Sequence, residues 1–478
     1  MFQSSVKVLT AENMQRVHDI SVHILEKKGM VFDSAEALAY FKEAGLKVEG
    51  KTVYFTRKVL EDSIKQCPET FYLNALDPQK SVTVGEGMLV GPAGGALFVS
   101  DMGNGRRVPL LSDCADLQKL YQACKNVDLA GHQPLTPSDV PERYQGLYLT
   151  LVSFRHCNKP ILSPTTALPD MAMKNAHFAL YEIAYGKKGY LNDHYVTYSA
   201  VCPNSPLFYG EFACDGIIAF AKWNQPVLCV SAPMSGITSP FYLYSTVALH
   251  NAENLAGIAL AQLVRPGVPC IGSASLTYGN MKYATWECAC PDSVTMMLAA
   301  IQMYNEFYHL PSRAQTGATS SKTLDMQAGL EGMQSFLTTA LAGVNITTQS
   351  VGTLENLTRV SFEKTVIDDE LIDRVRRIMQ GLDTGEKCLA LDEIMNADPH
   401  SDFIMSNSTL ENFREGWQPT VSNWMNHDLW RECGQTDLIE TARGIVTDIL
   451  ENAPESLLDS EQEKEMQDYI RHVEKSDL

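Results

Sequence analysis

Between residues 85 and 360, short runs of apolar or small residues alternate with longer stretches of helical periodicity. That rhythm constrains the fold more than any other feature of the chain. Eight runs read as strands: 88–99, 127–135, 160–166, 195–202, 226–232, 268–275, 312–319 and 344–351. Helical patterns lie between them, for example over 246–263, 292–308 and 324–341. Strands alternating with helices imply βαβ units and a parallel sheet. Eight such units fit a (β/α)8 TIM barrel better than an open doubly wound sheet. A dinucleotide-binding sheet would place GxGxxG after its first strand, and GPAGGALF lacks that spacing.

The flanks read differently. In residues 1–84, Thr10, Asp33 (with Glu36 three residues on) and Thr56 each mark a helix start. Beyond 360, helices are expected over 368–381, 437–452 and 460–473, with Trp417, Trp424 and Trp430 in an irregular stretch between them. The expected division is an N-terminal helical segment over 1–84, a barrel over 85–360 and an acidic C-terminal helical extension over 361–478.

Composition narrows the function. With 478 residues, 45% hydrophobic and 20% charged, the chain buries a large core and is not disordered. No 18-residue uncharged apolar run and no apolar leader are seen, so a cytoplasmic location is expected. Twelve cysteines without paired spacing read as reduced thiols. Of the net charge of -19, residues 361–478 carry -16, from 27 acids and 11 bases. With no basic stripe, nucleic acid and anionic membranes are poor partners.

The strand ends read SAPMSG, GSASLTYG, RAQTGATSS and TTQSVGT, which are small and hydroxylated and carry few charges. In a barrel these ends build the active site. Glu287, Cys288 and Cys290 offer zinc-ligating atoms, but their spacing is poor for one tetrahedral ion and no HExxH or second CxxC supports them. The histidines form no HxH or HxxxH pair, and hydrolase, P-loop and kinase signatures are absent. Tyrosines and Trp286 cluster in and after the fourth to sixth strands. Aromatic faces in a weakly charged mouth suit a quaternary ammonium, held by cation–π attraction.

The runs 204–227, 232–243, 250–269, 310–332 and 340–354, with GPAGGALFVSDMGNGRRVPL at 91–110, resemble the trimethylamine methyltransferase (MttB) superfamily in its branch without pyrrolysine. Where methanogen members carry pyrrolysine, this chain has ordinary residues around Gly317. The resemblance implies a (β/α)8 barrel and methyl transfer from a quaternary amine (glycine betaine, proline betaine, carnitine or butyrobetaine) to Co(I). The corrinoid (cobalamin) would be presented by a separate small protein, with no cofactor bound tightly by this chain. Such an enzyme positions its substrate and needs no acid, base or metal ligand. The expected substrate contacts are Tyr198, Tyr278, Tyr283 and Trp286 around the ammonium, and Arg313, His156 or Gln315 on a carboxylate. Gly317, Gly236 and Gln349 are expected where the corrinoid approaches. A non-catalytic betaine-binding barrel and a zinc-dependent methyltransferase are the alternatives. A homo-oligomer is expected.

Overall fold

A computed structural model describes residues 6–101, 103–131 and 133–476. Eight short parallel strands follow the chain order, each succeeded by a helix. They are β1 (Leu89–Val90), β2 (Ala130–Gly131), β3 (Ile161–Leu162), β4 (Ser199–Val201), β5 (Val227–Cys229), β6 (Cys270–Ala274), β7 (Ser312–Gln315) and β8 (Ile346–Thr348). The helices are α1 (Leu111–Ala123), α2 (Gln145–His156), α3 (Met171–Ala184), α4 (Glu211–Lys222), α5 (Leu243–Val264), α6 (Pro291–Gln302), α7 (Met326–Leu341) and α8 (Phe362–Gln380). All eight expected strands are present, each shorter than its sequence run.

Strands β4, β5, β6, β7, β8 and β1 form one six-stranded parallel sheet in that order, and β2 pairs with β3. The Val90 carbonyl accepts the Asp128 and Leu129 amides (2.9 and 3.0 Å), which joins β1 to the chain entering β2. Between β3 and β4 the Tyr181 hydroxyl bridges, donating to the Ile161 carbonyl (2.8 Å) and accepting from Thr197 Oγ1 (3.3 Å).

Two hydrophobic layers result. Leu89, Leu129, Leu162, Tyr198, Leu228, Ile271 and Ile346 pack together on the inner face of the strands, one from each strand segment except β7. Phe71, Leu73 and Val84 from the hairpin Phe71–Leu73/Val82–Val84 join them and cover the amino ends of the strands. The outer face packs on the helices. At Gly272 of β6 a Cβ would lie 2.1 Å from the Tyr304 ring, so only glycine lets that helix approach the sheet.

The N-terminal segment departs from the all-helical expectation. Helices Ala11–Lys27, Ala35–Glu43 and Arg57–Gln66 are present, and Thr10 and Thr56 cap the first and third. The second is capped by Ser34, whose side chain accepts from Ala37, one residue later than Asp33. Between them Met30–Phe32, Lys47–Glu49 and Thr52–Tyr54 form a small sheet, and Met30–Phe32 also pairs in parallel with Phe208–Tyr209. Three-residue strands are too short to show an alternation that sequence periodicity can detect. Each of the twelve cysteines is free. Among the described residues no helix is long and apolar enough to cross a membrane.

Candidate functional site

A cavity of about 420 Å³ opens at the carboxyl ends of the parallel strands. It is lined from β4 by Ala200 and Cys202, after β5 by Val230, Ala232 and Met234, and after β6 by Ser275 and Thr277. Arg313 and Gln315 come from β7, Gln349 from the end of β8, Thr166 from the loop after β3, and Trp286 from a hairpin over the mouth. The spacing follows from strand geometry. Residues two apart share a face, so Ala200/Cys202, Val230/Ala232, Ser275/Thr277 and Arg313/Gln315 point inward together.

Arg313 dominates the electrostatics. It is 6% exposed, its Nη1 donates to Ser275 Oγ, and its Nε has no partner. Among the described residues no carboxylate forms an ion pair with it. Burial pushes the guanidinium down to about 10, still charged at neutral pH. Around it the buried polar atoms Tyr198 Oη, Thr277 Oγ1, Gln315 Nε2 and Thr348 Oγ1 also lack partners. Buried polar atoms are nearly always hydrogen-bonded, so a cluster of orphans around a buried cation marks a place that receives an anion. Burial raises the Cys202 thiol, which opens onto the cavity although protein surrounds it on the other sides.

The rim is held by two amide and carboxylate grips. The Gln349 side chain accepts the Gly94 amide (2.8 Å) and donates to its carbonyl (2.9 Å), while the Gln349 backbone sits at φ +61°. It thereby pins the glycine-rich loop after β1 beside the cavity. Glu287 accepts from Ser320 Oγ (2.7 Å), Thr285 Oγ1 (3.0 Å), Asn280 Nδ2 (3.3 Å) and Asn356 Nδ2 (3.4 Å). Burial would raise its pKa, but these hydrogen bonds hold it below the usual carboxylate range. Glu287 ties the hairpin carrying Trp286 to the loops after β7 and β8.

Four of the ten residues named from sequence line the cavity: Trp286, Arg313, Gln315 and Gln349. Tyr198 is on β4's approach but one layer deeper, within the inner hydrophobic face beside Arg313. Tyr278 alternates away from Thr277 and packs edge-on against Phe241 at 6.0 Å. Tyr283 is 65% exposed, with the Lys282 ammonium 4.9 Å above its ring. His156 lies elsewhere, at the end of α2 against 448–454, because helices run antiparallel to strands and carry their ends to the opposite pole. Burial first, then Lys119 and Arg155, push its ring down to about 4.

Neither Gly317 nor Gly236 borders open space. At Gly317 (φ +69°) a Cβ would meet the Ser350 carbonyl at 2.4 Å, and at Gly236 (φ +84°) the Phe241 ring at 2.9 Å. Glu287, Cys288 and Cys290 do not converge: Cys288 Sγ faces Asn356 and Cys290 Sγ faces Ser293. Among the described residues no group of three His, Cys, Asp or Glu side chains is arranged to hold a metal. Sequence reasoning missed Thr166, Ala200, Cys202, Val230, Ala232, Met234, Ser275 and Thr277. Inward alternation from each strand would have found most of them. Cavities of about 450 Å³ beside His18 and about 750 Å³ beside Met88 lie toward the amino ends of the strands, and no unpaired buried cation lines either.

Parallel strands, each followed by a helix, with a polar-floored cavity at their carboxyl ends define a class of α/β protein whose strand-end loops surround the candidate site. The comparisons say which one. Residues 3–476 match the family model for trimethylamine methyltransferase (MTTB). A glycine betaine methyltransferase of Desulfitobacterium hafniense is 31% identical over 97% of this chain and 96% of its own. A trimethylamine methyltransferase MttB of Methanosarcina barkeri is 28% identical over 98% and 96%. The crystal structure of the Methanosarcina barkeri monomethylamine methyltransferase (MtmB) shares the fold, with a TM-score of 0.53 at 12% identity over 94% of this chain and 90% of its own. This chain belongs to the trimethylamine methyltransferase family and is a methyltransferase.

Proposed function

We propose that the chain transfers a methyl group from a quaternary amine bearing a carboxylate, of the betaine class, to Co(I) of a corrinoid carried by a separate small protein. One observation carries the choice of substrate: Arg313 is a buried cation in the cavity whose Nε–H is unpartnered and which has no acidic partner among the described residues. Trimethylamine has no carboxylate to offer it, whereas a betaine does, and a guanidinium fork accepts a carboxylate bidentately. The ammonium end would then lie toward Trp286, the one aromatic ring among the described lining residues. On this reading the eight strands close into a barrel around the inner hydrophobic layer, with the β3–β4 seam bridged by Tyr181.

The corrinoid supplies a cobalt nucleophile strong enough to take the methyl group without acid assistance. The chain's own contribution is alignment and exclusion of water. Arg313 and Gln315 orient the carboxylate, the apolar Val230, Ala232 and Met234 side chains restrict solvent, and Glu287 and Gln349 keep the rim in place. The loops that carry Met234 and Trp286 also present exposed Phe241, Tyr242 and Met281, an apolar surface suited to the corrinoid protein. A quaternary ammonium leaves as a neutral tertiary amine, so one methyl should be removed and the reaction should stop.

The test is a panel of glycine betaine, proline betaine, carnitine, butyrobetaine, tetramethylammonium and trimethylamine with cob(I)alamin, followed by methylcobalamin absorbance. The expected result is turnover of at least one carboxylate-bearing quaternary amine, in one-to-one yield with its tertiary amine. Turnover of trimethylamine in preference to every betaine would overturn the reading.

A further inference from the structure

One turn of α5 holds the cavity floor by its backbone. Pairing between β5 and β6 stops at Leu228 and Ile271. Beyond it the His250 ring stands between the two strands, with Nδ1 3.0 Å from the Ser231 carbonyl and Nε2 2.6 Å from the Ser273 carbonyl. Ser231 lies between the cavity residues Val230 and Ala232 and is gripped at its other polar atoms as well. Its amide donates to Asn254 Oδ1 (3.0 Å) and its hydroxyl to Glu253. The spacing of His250, Glu253 and Asn254 (i, i+3, i+4) puts them on one helix face, and all three are buried.

The far end of this chain of contacts reaches Arg313. Ser273 and Ser275 are two apart along β6 and its carboxyl end, so their side chains share a face. Ser273 Oγ donates to Ser275 Oγ (3.2 Å), and Arg313 Nη1 donates to the same oxygen. With two bonds accepted, the Ser275 hydroxyl still has its own proton to give, and among the described residues nothing accepts it. Ser275 lines the cavity. A hydroxyl that accepts from a buried guanidinium and keeps its proton for the cavity suits an anion held by that same guanidinium. A serine is too small to lock a strand end by bulk, which leaves the aim of Ser275 to the backbone that His250 holds.

We propose that Ser275 is a further donor to the substrate carboxylate and that His250 is the positioning residue that aims it. The inference rests on the reading that Arg313 takes a betaine carboxylate, and it names the groups that complete the grip. The two strands depend on His250 unequally. Without its ring, Ser231 keeps its bonds to Asn254 and Glu253, so the end of β5 stays fixed to α5. Ser273 loses its hydrogen bond to α5, and the end of β6 that carries Ser275 is freed. The loss therefore falls on carboxylate recognition and spares a substrate that has no carboxylate.

The experiment uses the full chain with cob(I)alamin, comparing the best betaine with tetramethylammonium by methylcobalamin absorbance. Ser275→Ala should raise the KM for the betaine about tenfold, with kcat nearly unchanged and tetramethylammonium unaffected. His250→Asn should do the same, whereas His250→Gln, which carries an N–H near the position of Nε2, should stay near wild type. The double variant Ser275→Ala/His250→Asn should be no worse than Ser275→Ala alone, because His250 acts through Ser275. Losses that multiply in the double variant, or equal losses with both substrates, would overturn the positioning role. An unchanged betaine KM in Ser275→Ala would overturn the whole proposal. Should His250→Asn fail to fold, the betaine KM of His250→Gln decides, a tenfold rise counting against; failure of both to fold would reduce His250 to a structural part and overturn its role. A wild type that turns over no betaine fails the substrate reading and this proposal together. A betaine-selective wild type whose selectivity survives both single variants fails this proposal alone.

Discussion

Two buried cations in this molecule are treated in opposite ways. On the outer wall, Lys364 of α8 donates to both carboxylate oxygens of Asp368 (2.8 and 2.7 Å) and to the Gly317 carbonyl (3.3 Å), and both charged side chains are 3% exposed. Burial raises the Asp368 carboxyl above its ordinary value, and Lys364 offsets only part of that rise. At the strand ends, Arg313 has one hydroxyl partner and, among the described residues, no counter-charge. A charge kept for structure is fully partnered inside the fold, as Lys159 is by the carbonyls of Tyr121, Cys124 and Val127. A charge left unneutralised costs stability that only a ligand can return. The contrast separates scaffold from site more cleanly than cavity size does, since the about 750 Å³ hollow near Met88 is larger than the strand-end cavity.

The largest effect expected from this contrast is on stability. Lys364→Met leaves Asp368 buried and unpaired, which should destabilise the fold by about 3–5 kcal/mol in denaturant titration, with the KM of folded enzyme unchanged. A rise in KM without loss of stability would put Lys364 in the site and break the comparison.

Arg313→Leu should do the reverse. It removes an uncompensated charge, so stability should hold or rise. Betaine turnover, expressed as kcat/KM, should fall by about 2–4 kcal/mol, roughly 30- to 1,000-fold. Tetramethylammonium, which has no carboxylate, should react no worse than with wild type. Equal losses for both substrates would show that Arg313 does not read the carboxylate.

Glu370 sharpens the same distinction with a satisfied anion. Burial opposes ionisation, yet hydrogen bonds from Ser422, Val421 and Arg374 bring its carboxyl down to about 2. A depressed carboxylate stabilises above its unfolded pKa of about 4.5 and loses that contribution as pH falls toward 2. The contribution is about 3 kcal/mol. Proteolysis of residues 382–436, the segment between α8 and the helix Leu438–Asn452 that contains Val421 and Ser422, should therefore accelerate between about pH 4.5 and 2 in wild type, and should already be faster at pH 7 in Glu370→Gln. Identical cleavage of both proteins at pH 7 would remove Glu370 as the anchor of that segment.

The smallest effect is on the ammonium end. Trp286→Leu should weaken betaine binding by about 0.5–2 kcal/mol through loss of cation–π attraction, measured by calorimetry, while Tyr283→Leu should leave it unchanged. Tyr283 is solvent-facing, and Lys282 already lies over its ring. Equal effects of the two substitutions would mean that the hairpin rearranges on binding.

The sequence by itself determined the eightfold alternation of strand and helix, because period-2 and period-3.6 patterns are local and survive without any knowledge of neighbours. It also offered Arg313 and Gln315 as carboxylate contacts, and residues two apart on a strand share a side, which is how both reach the cavity. It did not reveal Met30–Phe32 and its partners, whose three-residue strands exist through pairing with Phe208–Tyr209, almost 180 residues away. Nor could it sort the aromatic cluster. Tyr198, Tyr278, Tyr283 and Trp286 are equivalent as aromatic faces, and only the fold sends one into the core, one against Phe241, one to solvent and one over the cavity. His156 failed for the same reason, because the pole a residue occupies depends on the direction of the helix that carries it. Whether a charge is neutralised is the most non-local property of all. Lys364 finds Asp368 one helical turn away, a spacing legible in sequence, but the solitude of Arg313 depends on every segment that surrounds it, and only the tertiary structure decided that.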